Sequence, residues 1–127
     1  MRIIDATFSL LFLLAAVLQY NDPDPLRWII LYACAALAAG LQAAARPQPL
    51  LVAGITGACL AWLSFLEESL RAFVARGDWS LLTATMTASD PLIEESRESL
   101  GLLLIAVWCC ASLWRTRRKL SVTDNLR

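Results

Sequence analysis

Two short polar stretches carry most of the side chains that could do chemistry. Gln19-Tyr20-Asn21-Asp22-Pro23-Asp24-Pro25 places two carboxylates and two prolines between apolar sequence ending at Leu18 and apolar sequence resuming at Leu26. Glu94-Glu95-Ser96-Arg97-Glu98 places three carboxylates and a guanidinium at the head of another apolar run. Such carboxylates can act as general bases, as hard oxygen ligands for Ca²⁺ or Mg²⁺, or as partners for an arginine. Asp22 or Glu98 as a base, with Arg97 holding an anion, is one reading, but no nucleophile or metal completes it. A cation site is another. Asp22, Asp24, Glu94, Glu95 and Glu98 outweigh Arg27 and Arg97, yet no recognised metal-loop spacing is present and Arg97 would repel a cation. The plainer reading is a solvated acidic rim with one interhelical arginine–carboxylate bridge. For Asp24 alone the plain role is an N-cap, with Pro25 at the first helical position.

Other chemistries fall away. The chain has no histidine, which removes imidazole metal ligands, histidine-based triads and imidazole proton shuttles. Cys34, Cys59, Cys109 and Cys110 lie in apolar runs without a C-x-x-C spacing, so they read as small buried hydrophobes and no structural disulfide is expected. No glycine-rich phosphate loop is present. No cofactor and no nucleic-acid partner is expected.

Composition sets the class in which these residues must be positioned. Apolar residues make up 58% of the 127 residues and charged residues 17%, against about 45–50% and about 25% in a soluble domain. Charges gather at the ends of apolar runs rather than along one helical face. Four runs are candidate spans, at about residues 3–20, 26–45, 49–70 and 92–114, in a single membrane domain over residues 1–120. In lipid each must be a helix, since an open strand would leave its backbone groups unpaired. The expected fold is therefore all-α, an integral membrane bundle of four transmembrane helices. Each uncharged core is slightly short of the roughly 20 residues a span needs, so flanking residues must help. The first run could instead be a cleaved signal peptide with Arg2 as its basic end; Asp5 and the lack of an A-x-A site before Tyr20 argue for a retained helix.

On alternate sides of such a bundle the charges divide sharply. Arg2, Arg46, Arg115, Arg117, Arg118, Lys119 and Arg127 would share one side with Asp5 and Asp124. Arg27, Arg71, Arg76 and Arg97 would share the other with Asp22, Asp24, Glu67, Glu68, Asp78, Asp90, Glu94, Glu95 and Glu98. Seven cations against four predict both termini in the cytoplasm, of a bacterial inner membrane. The turn at residues 21–25 and the loop at residues 67–91 then face outward, and residues 115–127 form a basic tail, a stop-transfer anchor that could also bind anionic lipid. In the loop, Leu70, Phe73 and Val74 share a helical face, and Gly77-Asp78 supplies a stop. Trp79, Leu81, Leu82 and Met86 look interfacial. Asp90-Pro91 starts the last helix, on which Glu94, Arg97, Glu98 and Gly101 form one arc continued by Ile105, Trp108 and Ser112, with Glu95 to the side. Glu94 and Arg97 can pair at i,i+3; Asp22 and Asp24 are the candidate partners for Arg97 from another helix. Small-residue stripes at Ala36-x-x-x-Gly40-x-x-x-Ala44 and at Gly54 and Gly57-Ala58 predict close helix approach.

The two polar motifs, with Trp28, Tyr32 and Gly101-Leu102, resemble the transmembrane protein 220 family. The likeness extends to four apolar spans in the same order and to Trp62 in the third. It implies a helical integral membrane protein and brings no settled biochemical activity. Members found in animals look longer, with further hydrophobic sequence after this point. The residues it carries over are Asn21, Asp22, Asp24, Trp28, Arg97 and Glu98; with Glu94 they make one expected outer site. Trp28 and Tyr32 serve equally well as interface anchors and packing. An interaction or accessory protein docking a membrane or periplasmic partner is expected, rather than an enzyme. The alternative is an enzyme or lipid-binding protein at the outer interface. A transporter fits poorly, because no charge lies at mid-membrane and no span is broken.

Overall fold

The computed structural model describes residues 1–22, 24–77, 79 and 91–124, with side chains for all of these except residues 21, 91–94 and 119–124. Among the described residues every regular element is helical: α1 (Arg2–Leu18), a 3-10 turn (Gln19–Asn21), α2 (Pro25–Ala43), α3 (Pro49–Arg76) and α4 (Pro91–Asp124). Three helices begin on a proline, whose fixed φ suits a first turn and whose missing N–H is no loss there. Pro25–Ala43, Pro49–Arg76 and Glu95–Arg118 are long and apolar enough to cross a membrane. With 17 residues, α1 reaches about 25 Å, short of the roughly 30 Å hydrocarbon core. Leu81, Leu82 and Met86, read as an interfacial segment, and Asp90, read as a cap, lie outside the described residues.

The chain divides into two compact units, Met1–Ile55 with Cys109–Arg127, and Thr56–Trp108. In the first, α1 and α2 form an antiparallel hairpin through the 3-10 turn. Its register is set by Ser9, whose hydroxyl donates to the Ala36 carbonyl at 2.8 Å. A Cβ added at Gly40 would stand 3.2 Å from Ser9 Oγ, so the small residues of α2 do admit a close neighbour. Phe12, Trp28 and Tyr32 are buried with Ala16, Ala35 and Ala39. Ring centroids lie 6.4 Å apart for Phe12–Tyr32 and 6.2 Å for Trp28–Tyr32. Leu10, Leu11, Leu13, Leu14, Val17 and Leu18 stay exposed, an apolar surface suited to lipid and too large for a soluble monomer.

The end of α2 is unusual. Ala45 takes φ 61, Arg46 N–H donates to Leu41 at 2.8 Å and Ala45 N–H to Gln42 at 3.1 Å. This pair of bonds is a Schellman closure with alanine where glycine is the low-energy choice. A left-handed alanine costs roughly 1 kcal/mol. Ala45→Gly is therefore expected to stabilise the protein by up to about that amount, read as a higher unfolding midpoint in detergent.

In the second unit, α3 runs on past Leu66 and stops at Gly77, as the Gly77-Asp78 signal predicts. Gly77 has φ 67 and its N–H reaches the carbonyls of Phe73 and Val74. Of the expected face, Phe73 is buried and meets Trp79 edge-on at 5.5 Å, while Val74 is exposed. Cys59 on α3, and Ser96, Ser99, Leu102, Ile105 and Trp108 on α4, are buried. One packing expectation fails. A Cβ at Gly57, or at Gly54 in the first unit, would meet nothing within 4 Å among the described residues, so neither glycine serves a close helix approach there; both are exposed.

Candidate functional site

The turn between α1 and α2 is built from its own acids. Asp22 Oδ1 accepts the Asp24 backbone N–H at 2.9 Å, the short loop an aspartate makes when it binds two residues ahead. Asp22 N–H in turn donates to the Gln19 carbonyl at 3.1 Å. Asp24 holds the N-cap position of α2, but its side chain makes no cap bond. Its carboxylate instead takes a hydrogen-bonded ion pair from Arg27. The cap expectation is thus corrected: a guanidinium three residues on competes better for the carboxylate than the backbone does. Both side chains are more than half exposed, so the pair adds little stability. Trp28, one residue further, is buried against Tyr32, a packing position. The side chain of Asn21 lies outside the described residues.

Asp22 is half-buried, and that burial raises its pKa above the ordinary 3.8, with Arg27 lowering it in part. A raised carboxyl gives stability that is complete below the unfolded value and lost as pH rises through the folded one. Asparagine keeps the acceptor for the Asp24 N–H and removes the charge. Asp22→Asn is expected to be at least as stable as the parent at neutral pH, with a flatter stability profile as pH rises from the ordinary carboxylate range to neutral. Thermal unfolding across that range checks it.

The start of α4 belongs to the second unit. Arg97 and Glu98 are both half-buried, and the side chain of Glu94 lies outside the described residues, with its expected pairing to Arg97. Glu95, which the helical wheel sets aside, makes a contact of its own. Glu95 Oε2 accepts from the Ser69 hydroxyl of α3, and the Ser99 hydroxyl donates to the Glu95 carbonyl at 2.8 Å. Among the described residues no group of three or more acidic or cysteine side chains could hold a metal ion.

A further pair escaped the sequence reading. Asp5, 3% exposed, receives Arg115 through both oxygens, at 2.6 Å from Nη2 and 3.4 Å from Nη1. Arg115 Nε also donates to the Ala111 carbonyl at 3.3 Å. This two-pronged geometry matches the guanidinium fork to the carboxylate. Asp5 is the only charge inside the first apolar run, and Arg115 opens the basic run after the last. An even number of spans would put them on one side, and that was the available signal.

A family model described as transmembrane family 220, helix, matches residues 11–114. The chain belongs to that family. Transmembrane family 220 is a membrane family of unknown function, and the match takes in both polar motifs. Asp5 and Arg115 fall just outside the matched stretch, at either end. No curated protein and no solved structure matches the chain.

Proposed function

We propose that the protein is a small accessory or interaction protein of a bacterial inner membrane, crossing it four times with both termini in the cytoplasm. Its outward surface, formed by Asn21, Asp22 and Asp24 with Glu94, Arg97 and Glu98, would dock a membrane or periplasmic protein partner; Trp28, expected there from the sequence, is buried and packs instead. The observation that carries this reading is the engagement of the outer acids within their own units. Asp22 holds a backbone N–H, Asp24 an arginine, Glu95 a serine hydroxyl. Carboxylates spent on shaping a surface suit recognition better than proton transfer. The orientation is supported by the charge division and by the Asp5–Arg115 pair, which brings the start of α1 and the basic end of α4 to one level.

A second reading, an enzyme or lipid-binding protein at the outer interface, draws on Asp22, whose half-buried carboxyl keeps its proton to higher pH than usual. One experiment addresses the shared site directly. Cysteines placed at Asp24 and Arg97, with Cys34, Cys59, Cys109 and Cys110 replaced, should crosslink efficiently in membranes. No crosslink in a folded protein means two independent helix starts and ends the shared-site proposal. A photocrosslinking residue at Tyr20, 69% exposed, then separates the functions. A discrete protein adduct in native membranes supports docking, whereas adducts to lipid alone favour the second reading.

A further inference from the structure

The helix α4 does not end with its apolar sequence; it continues through Arg115–Arg118 to Asp124 as one rod. Helical spacing then sorts the basic residues by face. Arg115 turns inward and is neutralised by Asp5. Arg117 and Arg118, three and four residues after Trp114, flank that indole on an exposed face. Trp114 is 56% exposed, and the Arg118 guanidinium lies 4.0 Å over its ring. Tryptophan prefers the headgroup level of a bilayer, and α4 is apolar enough to span from Glu95 to Arg118. The indole therefore stands where headgroups begin, with two guanidiniums just beyond it.

The rest of the same unit adds to this end. Ser9 meets Ala36 and Gly40, and α1 and α2 run antiparallel, so Arg2 falls at the level of Arg46. Both are exposed, and Asp5, one of the two acids expected on this side, is bound to Arg115. The Asp5 pairing thus sets Arg115 apart from the exposed arginines at this end of the unit.

We propose that Trp114, Arg117 and Arg118 form a binding site for the headgroup phosphate of an anionic phospholipid. The Arg118 guanidinium, exposed and stacked on the indole, is the planar group that suits a phosphate diester. Arg117 supplies the second charge, and the indole fixes the depth at which the headgroup is met. This site is independent of the outward surface proposed above, and its test does not touch that surface.

The experiment is a titration of the purified full-length protein in a neutral detergent with phosphatidylglycerol, with bound lipid counted by native mass spectrometry. Phosphatidylcholine and inorganic phosphate are the two controls. Retention of phosphatidylglycerol over phosphatidylcholine is expected, with no competition by millimolar phosphate. The double variant R117Q/R118Q should bind phosphatidylglycerol roughly 30-fold more weakly, as two charges of about 1 kcal/mol each imply near an anionic surface. W114A, which keeps both arginines, should lose part of that affinity. Equal binding of the two lipids, or unchanged affinity in R117Q/R118Q, overturns the proposal. Displacement by inorganic phosphate would assign the site to free anions and overturn the lipid assignment. Should R117Q/R118Q fail to fold, the W114A titration decides alone, and unchanged affinity there counts against the site.

Discussion

Asp5→Ala is expected to destabilise the protein by about 3–5 kcal/mol, the usual cost of removing one partner from a buried ion pair. Asp5 and Arg115 are only 5% and 14% exposed, so the guanidinium left behind would lie largely out of water without its counter-charge. Arg115→Ala should be costly for the matching reason. The double replacement Asp5→Leu with Arg115→Met should recover most or all of the loss, because apolar residues of similar volume often replace a buried pair at no net cost. The measure is the detergent unfolding midpoint, with abundance in membranes as a second readout. A single variant as stable as the parent would mean that the pair is a surface contact. A double variant as poor as the singles would show that charge itself is required at that depth.

Trp28→Ala should produce the next largest effect. The indole is 2% exposed and packs beside Tyr32, one turn along the same helix. In a bilayer the tails are as apolar as the protein interior, so transfer contributes little and packing dominates. Leaving a void of roughly 100 Å³ at about 24 cal/mol per Å³ gives a loss of about 2–3 kcal/mol. Trp28→Phe should recover most of it, since a ring still fills the space beside Tyr32. Unfolding of both variants in the same detergent settles this. A stable Trp28→Ala protein would return Trp28 to the list of contact residues for a partner or ligand.

Much of the fold is legible because its signals are local. Pro25, Pro49 and Pro91 mark helix starts through their own backbone geometry, and Gly77 marks a stop through its access to positive φ. The stripe at Ala36 and Gly40 announces a close neighbour, though not that Ser9 would be the group received. Where the signal depends on a distant partner, the reading fails. Gly54 and Gly57 carry the same small-residue pattern and face open space, since a pattern says that approach is allowed and not that a helix comes. Asp24 reads as a cap by position, yet Arg27, three residues on, takes its carboxylate. Of the expected site residues, Asp22 and Asp24 are legible as a built turn because their bonds are within a few residues. Glu95 was set aside by its wheel angle, which contains no knowledge of Ser69 on another helix.

The Asp5–Arg115 pair joins residues 110 positions apart, and synthesis imposes an order on them. At about 5–20 residues per second, Asp5 is made roughly 6–22 seconds before its counter-charge exists. During that interval the first helix, short and carrying an uncompensated acid, lacks that contact and is held through its packing on α2. The contact between Asp5 and Arg115 can form only when the last helix arrives. Nascent chains cut before Arg115 should therefore be far easier prey for membrane proteases than chains cut after it.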